Sequence, residues 1–158
     1  MGTNYYFRKK TVDPTRIDAI VDSLNNDFKD LVAKYNEKLH EIFSEMGIDS
    51  LREFDDYHSF VSPISYDSYD IHVGKLSGGW KPLMQANEHF NSVATLKQWY
   101  ERNKLEYNFI DEDDEVTSFE EYIEEIARRN SDDSMEGHKS VWVVHNTEGY
   151  DWTYTKFS

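Results

Sequence analysis

The most regular pattern of apolar and polar positions runs from Asp13 to Gly47. Apolar residues recur at Ile17, Ile20, Val21, Leu24, Phe28, Leu31, Val32, Tyr35, Leu39, Ile42, Phe43 and Met46. Steps of three and four keep them on one face of a helix. Asp13 is placed to cap it, Pro14 suits the first helical position, and Gly47 supplies the stop. Asp18, Asp22, Asp27, Lys34, Lys38 and Glu41 populate the remaining circumference. Such a helix is longer than a small domain ordinarily uses. Either it packs along the body, or it pairs with a second copy through residues 14–46 as a short coiled coil. A weaker pattern from Ile48 to Phe60, with Leu51, Phe54 and Tyr57 inward, predicts a second helix and therefore a helical hairpin.

Elsewhere the pattern shortens to strand length. Gly2 to Lys10 is aromatic and β-branched and then basic, which predicts a first strand leading to an exposed end. Ser62 to Asp70 is a polar connector. Ile71 to Trp80 enters a glycine-dependent turn, and Lys81 to Gln85 continues as a strand. Trp80 and Leu83 are expected to reach the core, and Pro82 points to an edge or a bulge. Ser92 to Asn103 predicts a helix capped by Ser92 or Thr95, with Val93, Leu96, Trp99 and Tyr100 on one face. Tyr107 to Ile110 alternates as a strand. Ser118 and Glu121 have capping-box spacing before a helix that turns Phe119, Tyr122, Ile123 and Ile126 inward, with Arg128 and Arg129 at its C-terminal end. Val141 to Val144 and Tyr150 to Tyr154 flank the turn Asn146 to Gly149, predicting a hairpin. The order predicts an α+β fold: a small, mostly antiparallel sheet with two packed helices and a long helical-hairpin insertion. The expected organisation is a single domain, with core 1–10 and 70–158 and insertion 11–69.

Composition narrows the function classes. Absence of cysteine excludes disulfides, thiolate zinc sites and cysteine nucleophiles. The formal net charge is -14, and from Glu106 to Glu136 there are 13 acidic residues against two arginines. A field of that sign repels nucleic acid and anionic membranes and favours a basic protein partner. The carboxylates expected to face such a partner are Asp113, Asp114, Glu115, Glu120, Glu121, Glu124 and Glu125. No basic-then-apolar leader opens the sequence and no apolar run nears the ~20 residues of a membrane span, so a soluble intracellular protein is expected. Tyr6 stands where N-myristoylation of Gly2 needs Ser or Thr.

Chemistry-bearing motifs are sparse. Gly74-Lys75-Leu76-Ser77-Gly78-Gly79 invites comparison with phosphate-cradling loops, in which backbone N–H groups and a lysine meet an anion. In the Walker order, however, lysine follows the second glycine and a helix comes next; here lysine precedes the glycine pair and Lys81-Pro82 follows. Two readings stay open: a structural turn, or a nucleotide or phosphate site using His72, Lys75, Ser77, Gly78 and Gly79. An EF-hand frame starting at Asp111 puts Val116 where glycine belongs and Tyr122 where the bidentate glutamate belongs. No H-E-x-x-H or G-x-S-x-G spacing occurs. No catalytic constellation, metal or cofactor is therefore expected.

The order of motifs resembles a group of small tailed-phage proteins. They open Gly-Thr-Asn-Tyr-Tyr, carry a His-Ile-Gly-Lys-Ser-Ser-Gly-Gly-Trp segment, and continue through a Trp-bearing helix, an Asp-Glu turn and a Ser-x-Glu-Glu helix to Phe-Ser. The matching residues are Gly2 to Tyr6, His72 to Trp80, Leu96 to Trp99, Asp111-Glu112, Ser118 to Glu121 and Phe157-Ser158. The match spans 1–10 and 70–158. Those relatives carry a Cys-x-x-Cys knuckle where this chain has its helical insertion, so no metal carries over. The resemblance implies phage origin and a place in the host cytoplasm. Together with the acidity it implies a non-enzymatic protein that binds and inhibits a basic host factor, one of defence or nucleic-acid processing.

Overall fold

A computed structural model describes residues 2–48, 69–138 and 144–158. The helix expected over 48–60, most of the connector 62–70 and the segment 141–143 lie outside the described residues. The elements are β1 (Gly2–Lys9), α1 (Pro14–Glu45), β2 (Asp70–Ser77), β3 (Leu83–Gln85), α2 (Val93–Asn103), β4 (Tyr107–Asp111), α3 (Phe119–Asn130), β5 (Val144–Thr147) and β6 (Tyr150–Thr153). The fold is α+β. The chain divides into two compact units, Met1–Val12 with Tyr66–Ser158, and Asp13–Ser65.

In the first unit six strands form one sheet in the order β4-β1-β2-β3-β6-β5. Every neighbouring pair is antiparallel except β3 and β6, which run parallel. The β5–β6 hairpin turns through Glu148 at φ 57° and Gly149 at φ 83°. Two positive φ values are what a two-residue type I′ turn demands, and its twist matches that of the strands.

The core lies between one face of the sheet and helices α2 and α3. Phe7, Val73, Met84, Leu96, Ile126 and Trp152 are fully buried. Ser92 caps α2 through a reciprocal capping box with Thr95, and Ser118 caps α3 by accepting from the Glu121 N–H at 3.2 Å. With both first turns anchored, Phe119, Tyr122 and Ile126 enter the core at helical spacing.

One irregularity decides which side chains reach which face. Tyr5 pairs with Gly74 but Tyr6 pairs with His72, so Val73 is an extra residue bulged into β2. The bulge keeps Val73 and Gly74 on the core side together and leaves Asp70 and His72 on the other face, beside Arg8 and Tyr6. Gly74 has no room for a side chain. A Cβ there would stand 2.8 Å from the Leu83 carbonyl oxygen and 2.8 Å from the Tyr122 hydroxyl. Gly74→Ala is therefore expected to cost about 1–3 kcal/mol through forced displacement of β3 or α3. Urea unfolding monitored by tryptophan fluorescence reads this directly.

Three local expectations are corrected. Arg8, expected at an exposed strand end, is 8% exposed because Asp70 on the neighbouring strand binds it. Trp80 does not enter the core: it is 37% exposed and stacks on His138 with ring centroids 5.3 Å apart. Pro82 marks no edge, since β3 is interior to the sheet. Pro82 is itself fully buried and precedes the strand, where it removes no ladder donor.

The second unit contributes α1. Asp13 accepts from the Arg16 N–H at 3.3 Å and Pro14 opens the helix, whose last turn ends before Gly47. Among the described residues no helix is long and apolar enough to cross a membrane.

Candidate functional site

The acidic segment forms a tight turn followed by a capped helix. Asp111 Oδ1 accepts from the backbone N–H groups of Asp113 at 2.9 Å and Glu115 at 3.0 Å, closing the loop on its own carboxylate. The turn places Asp114 at φ 64°, and its carboxylate pairs with the Arg8 guanidinium at 2.7 Å. Asp114 is thus part of an internal ion pair. Asp113 and Glu115 are exposed, and among the described residues no ion pair engages either.

The four glutamates of α3 divide in the same way. Glu125 receives Arg128 at 2.7 Å and 2.8 Å and Arg129 at 2.6 Å. Those hydrogen bonds from Arg128 and Arg129 pull its carboxyl down to about 2. Glu120 accepts from the Tyr100 hydroxyl at 3.3 Å. Glu121 and Glu124 are exposed and, among the described residues, in no ion pair. Among the described residues the unpaired charge therefore sits on Asp113, Glu115, Glu120, Glu121 and Glu124, with Glu120 oriented by the Tyr100 hydroxyl, while Asp114 and Glu125 are paired with arginines.

The Glu125 cluster carries a pH signature. Its carboxyl titrates at 4.5 when unperturbed and near 2 when folded, so its stabilisation is complete above about 4.5 and is lost as pH falls toward 2. Wild type and Glu125→Gln are expected to diverge in thermal midpoint at neutral pH and to converge by about pH 2. Calorimetry across that window checks it.

The glycine turn has a structural job. The Ser77 carbonyl accepts from the Trp80 N–H at 3.2 Å and from Arg129 Nη1 at 2.9 Å, and Gly79 takes φ 78°, where a side chain is strained. The Gly79 carbonyl then accepts from the Glu136 N–H at 3.0 Å. Gly78 and Gly79 border open space. Lys75 Nζ donates to the Ser158 main-chain oxygen at 2.7 Å. His72 lies on the polar sheet face, where its Nε2 meets Asn4 Oδ1 at 3.1 Å and its ring sits between Tyr6 and Phe157. The residues proposed for an anion thus engage different neighbours: Ser77 with Arg129, Lys75 with Ser158, His72 with Asn4 and two rings.

His72 instead lines a cleft of about 420 Å³, together with Asp70, Gln85, His89 and Phe157. Asp70 is committed to Arg8 through 2.7 Å and 2.6 Å hydrogen bonds. Gln85 is 5% exposed and its amide donates to the Thr153 and Ala86 carbonyls at 2.9 Å and 3.2 Å. Its Oε1 is buried with no partner. No sequence motif marks this cleft, because its residues come from β2, the end of β3, the segment after it and the tail beyond β6. Among the described residues no group of three or more His, Asp or Glu side chains is placed to hold a metal.

Comparison of the chain with protein-family models, curated proteins and solved structures finds no match.

Proposed function

We propose that this is a non-enzymatic interaction protein that docks a basic host protein through the turn 111–115 and the outer face of α3. The observation that carries the reading is the split among the carboxylates. A capped turn and a capped helix hold Asp113, Glu115, Glu120, Glu121 and Glu124 exposed and outside any ion pair among the described residues, on a rigid support. Fixed like charges on a rigid frame steer and orient a basic partner. The phage resemblance supports a host factor of defence or nucleic-acid processing as the partner, with inhibition as the outcome.

The test is affinity capture from host lysate with wild type, with Glu121→Lys/Glu124→Lys, and with Glu125→Gln. The double reversal is expected to weaken capture of the specific partner on the order of tenfold. Glu125→Gln, which alters a carboxylate already neutralised from within, is expected to leave it unchanged. Equal recovery with all three proteins would remove the acidic-surface reading.

A second reading, a small-ligand protein holding a nucleotide or phosphate, draws support from the cleft beside His72 rather than from the glycine turn. The orphan Gln85 Oε1 is the observation that favours it, since a buried acceptor without a donor is costly and the N–H groups of a nucleotide base, though not its phosphate, could supply one. Mass spectrometry of small molecules released from purified protein, with and without His72→Ala, tests this reading; a clean apo protein counts against it.

A further inference from the structure

Helix α1 carries an apolar stripe that is exposed among the described residues. Ile20, Leu24, Leu31, Ile42 and Met46 are 49%, 55%, 64%, 43% and 68% exposed, beside a neighbouring line on which Val32 is buried at 7%. The exposed positions follow an 11-residue repeat: Ile20, Leu31 and Ile42 form one line, and Leu24 and Met46, two repeats apart, lie on the other. Eleven residues make just over three whole turns, so the stripe runs nearly parallel to the helix axis. From Ile20 to Met46 it extends about 40 Å at ~1.5 Å per residue. An exposed apolar band this long and this straight matches another straight helix better than a compact domain surface.

The charges bordering the stripe say which helix, and in which direction. At 3.6 residues per turn, Arg16, Asp27, Lys34 and Glu45 fall on one border of the band. All four are exposed, and among the described residues none takes part in an ion pair. When two identical helices pack antiparallel, the same border of each faces the other. A two-fold axis near Leu31 then sets Arg16 against the partner's Glu45, and Asp27 against the partner's Lys34. Each opposition occurs twice and each is attractive. Ile20 meets the partner's Ile42, Leu31 meets its own counterpart, and Lys38 lays its methylenes over the partner's Leu24. In a parallel pair this border would face the other one, occupied by Val21, Phe28 and Leu39, and no charge would be matched.

We infer that α1 is a self-association element, pairing antiparallel with the α1 of a second copy through the Ile20–Met46 stripe. Apolar burial supplies the affinity, and the border charges select orientation and register, since exposed ion pairs add little strength. The proposal is independent of the acidic docking surface, which lies in the other unit.

The full chain lends itself to the test because it has no cysteine of its own. Sedimentation equilibrium across the micromolar range is expected to give twice the 18.7 kDa chain mass. Leu24→Glu/Leu31→Glu is expected to give the chain mass itself with an unchanged circular dichroism spectrum, both positions being exposed. Asp27→Lys is expected to weaken association, and Asp27→Lys/Lys34→Asp to restore it. Under mild oxidation Leu31→Cys, at the axis, is expected to form an intermolecular disulfide, and Ile20→Cys not. A wild-type monomer throughout the range overturns the proposal. So does a dimer that survives the double glutamate, or equal cross-linking of Leu31→Cys and Ile20→Cys, which would mean a parallel pair.

Discussion

Replacing Arg8 by methionine is expected to destabilise the protein by about 3–5 kcal/mol, the cost of leaving a buried charge without its partner. Arg8 and Asp70 are directly opposed on β1 and β2, and their side chains are only 10% and 3% exposed. The contact is bidentate, Nε to Oδ1 at 2.7 Å and Nη2 to Oδ2 at 2.6 Å, and the third guanidinium nitrogen reaches Asp114 at 2.7 Å. The guanidinium also lies 5.3 Å from the centre of the Tyr69 ring. Hydrogen bonding to Asp70 raises the Arg8 pKa further above its already high ordinary value, so this pair does not open by losing the arginine proton. In Arg8→Met the Asp70 carboxylate stays in its buried position with nothing to compensate it. Arg8→Met/Asp70→Leu removes both charges and is expected to recover most of the loss, because the pair itself contributes little net stability once desolvation is counted. Chemical denaturation of the three proteins separates the two effects. Recovery by the double variant marks the penalty as one of burial rather than of lost attraction.

Phe7→Ala is expected to cost a similar amount, about 3–5 kcal/mol, through lost burial and the cavity left behind. Phe7 is 0% exposed and sits at the centre of an aromatic cluster, with ring centroids of Phe90, Trp99, Tyr100, Phe109 and Phe119 between 4.8 and 6.1 Å from its own. These rings come from β1, α2, β4, α3 and the segment before α2, so few neighbours are free to collapse into the void without moving an element. Phe7→Leu retains much of the apolar volume and is expected to lose less. The loss is read from urea unfolding, and weakened near-ultraviolet dichroism from Trp99 would report the loosened cluster.

Two consecutive residues of one strand therefore carry the largest expected effects, and they do so on opposite faces of the sheet. Phe7 joins the apolar layer to both helices. Arg8 ties β1 to β2 and to the acidic turn, so the turn that presents Asp113 and Glu115 is anchored through Asp114 to the polar face. That linkage gives the proposed docking surface a fixed base: the carboxylates paired with arginines orient the unpaired ones beside them.

Much of the local structure was legible in the residues. The caps Asp13, Ser92 and Ser118, the turn at Glu148-Gly149, and the apolar lines of α1, α2 and α3 are short-range effects, in which a side chain acts on backbone within a few positions. Period and capping chemistry are enough to predict them. The basic run Arg8-Lys9-Lys10 could not be divided in the same way, because only the opposition of Asp70 across the ladder separates Arg8 from its exposed neighbours. Trp80 likewise has the character of a core residue, yet the turn at Gly79 and the bridge to Glu136 carry it to the rim, against His138.

The site followed the same division. The acidic segment was visible as composition, but which of its carboxylates remain unpaired depends on Arg8 from another strand as well as on Arg128 and Arg129 one turn along α3. The bulge at Val73, which sorts Asp70 and His72 to the polar face, leaves no mark on a pattern that alternates in either register. Most of the described elements, their caps and the sign of the surface charge follow from the residues alone, since each depends on neighbours along the chain. The pairing of Arg8 with Asp70 and Asp114, and the lining of the cleft, come from the tertiary fold, because they join groups 62 or more positions apart, whereas Glu125 finds its arginines within one turn of its own helix.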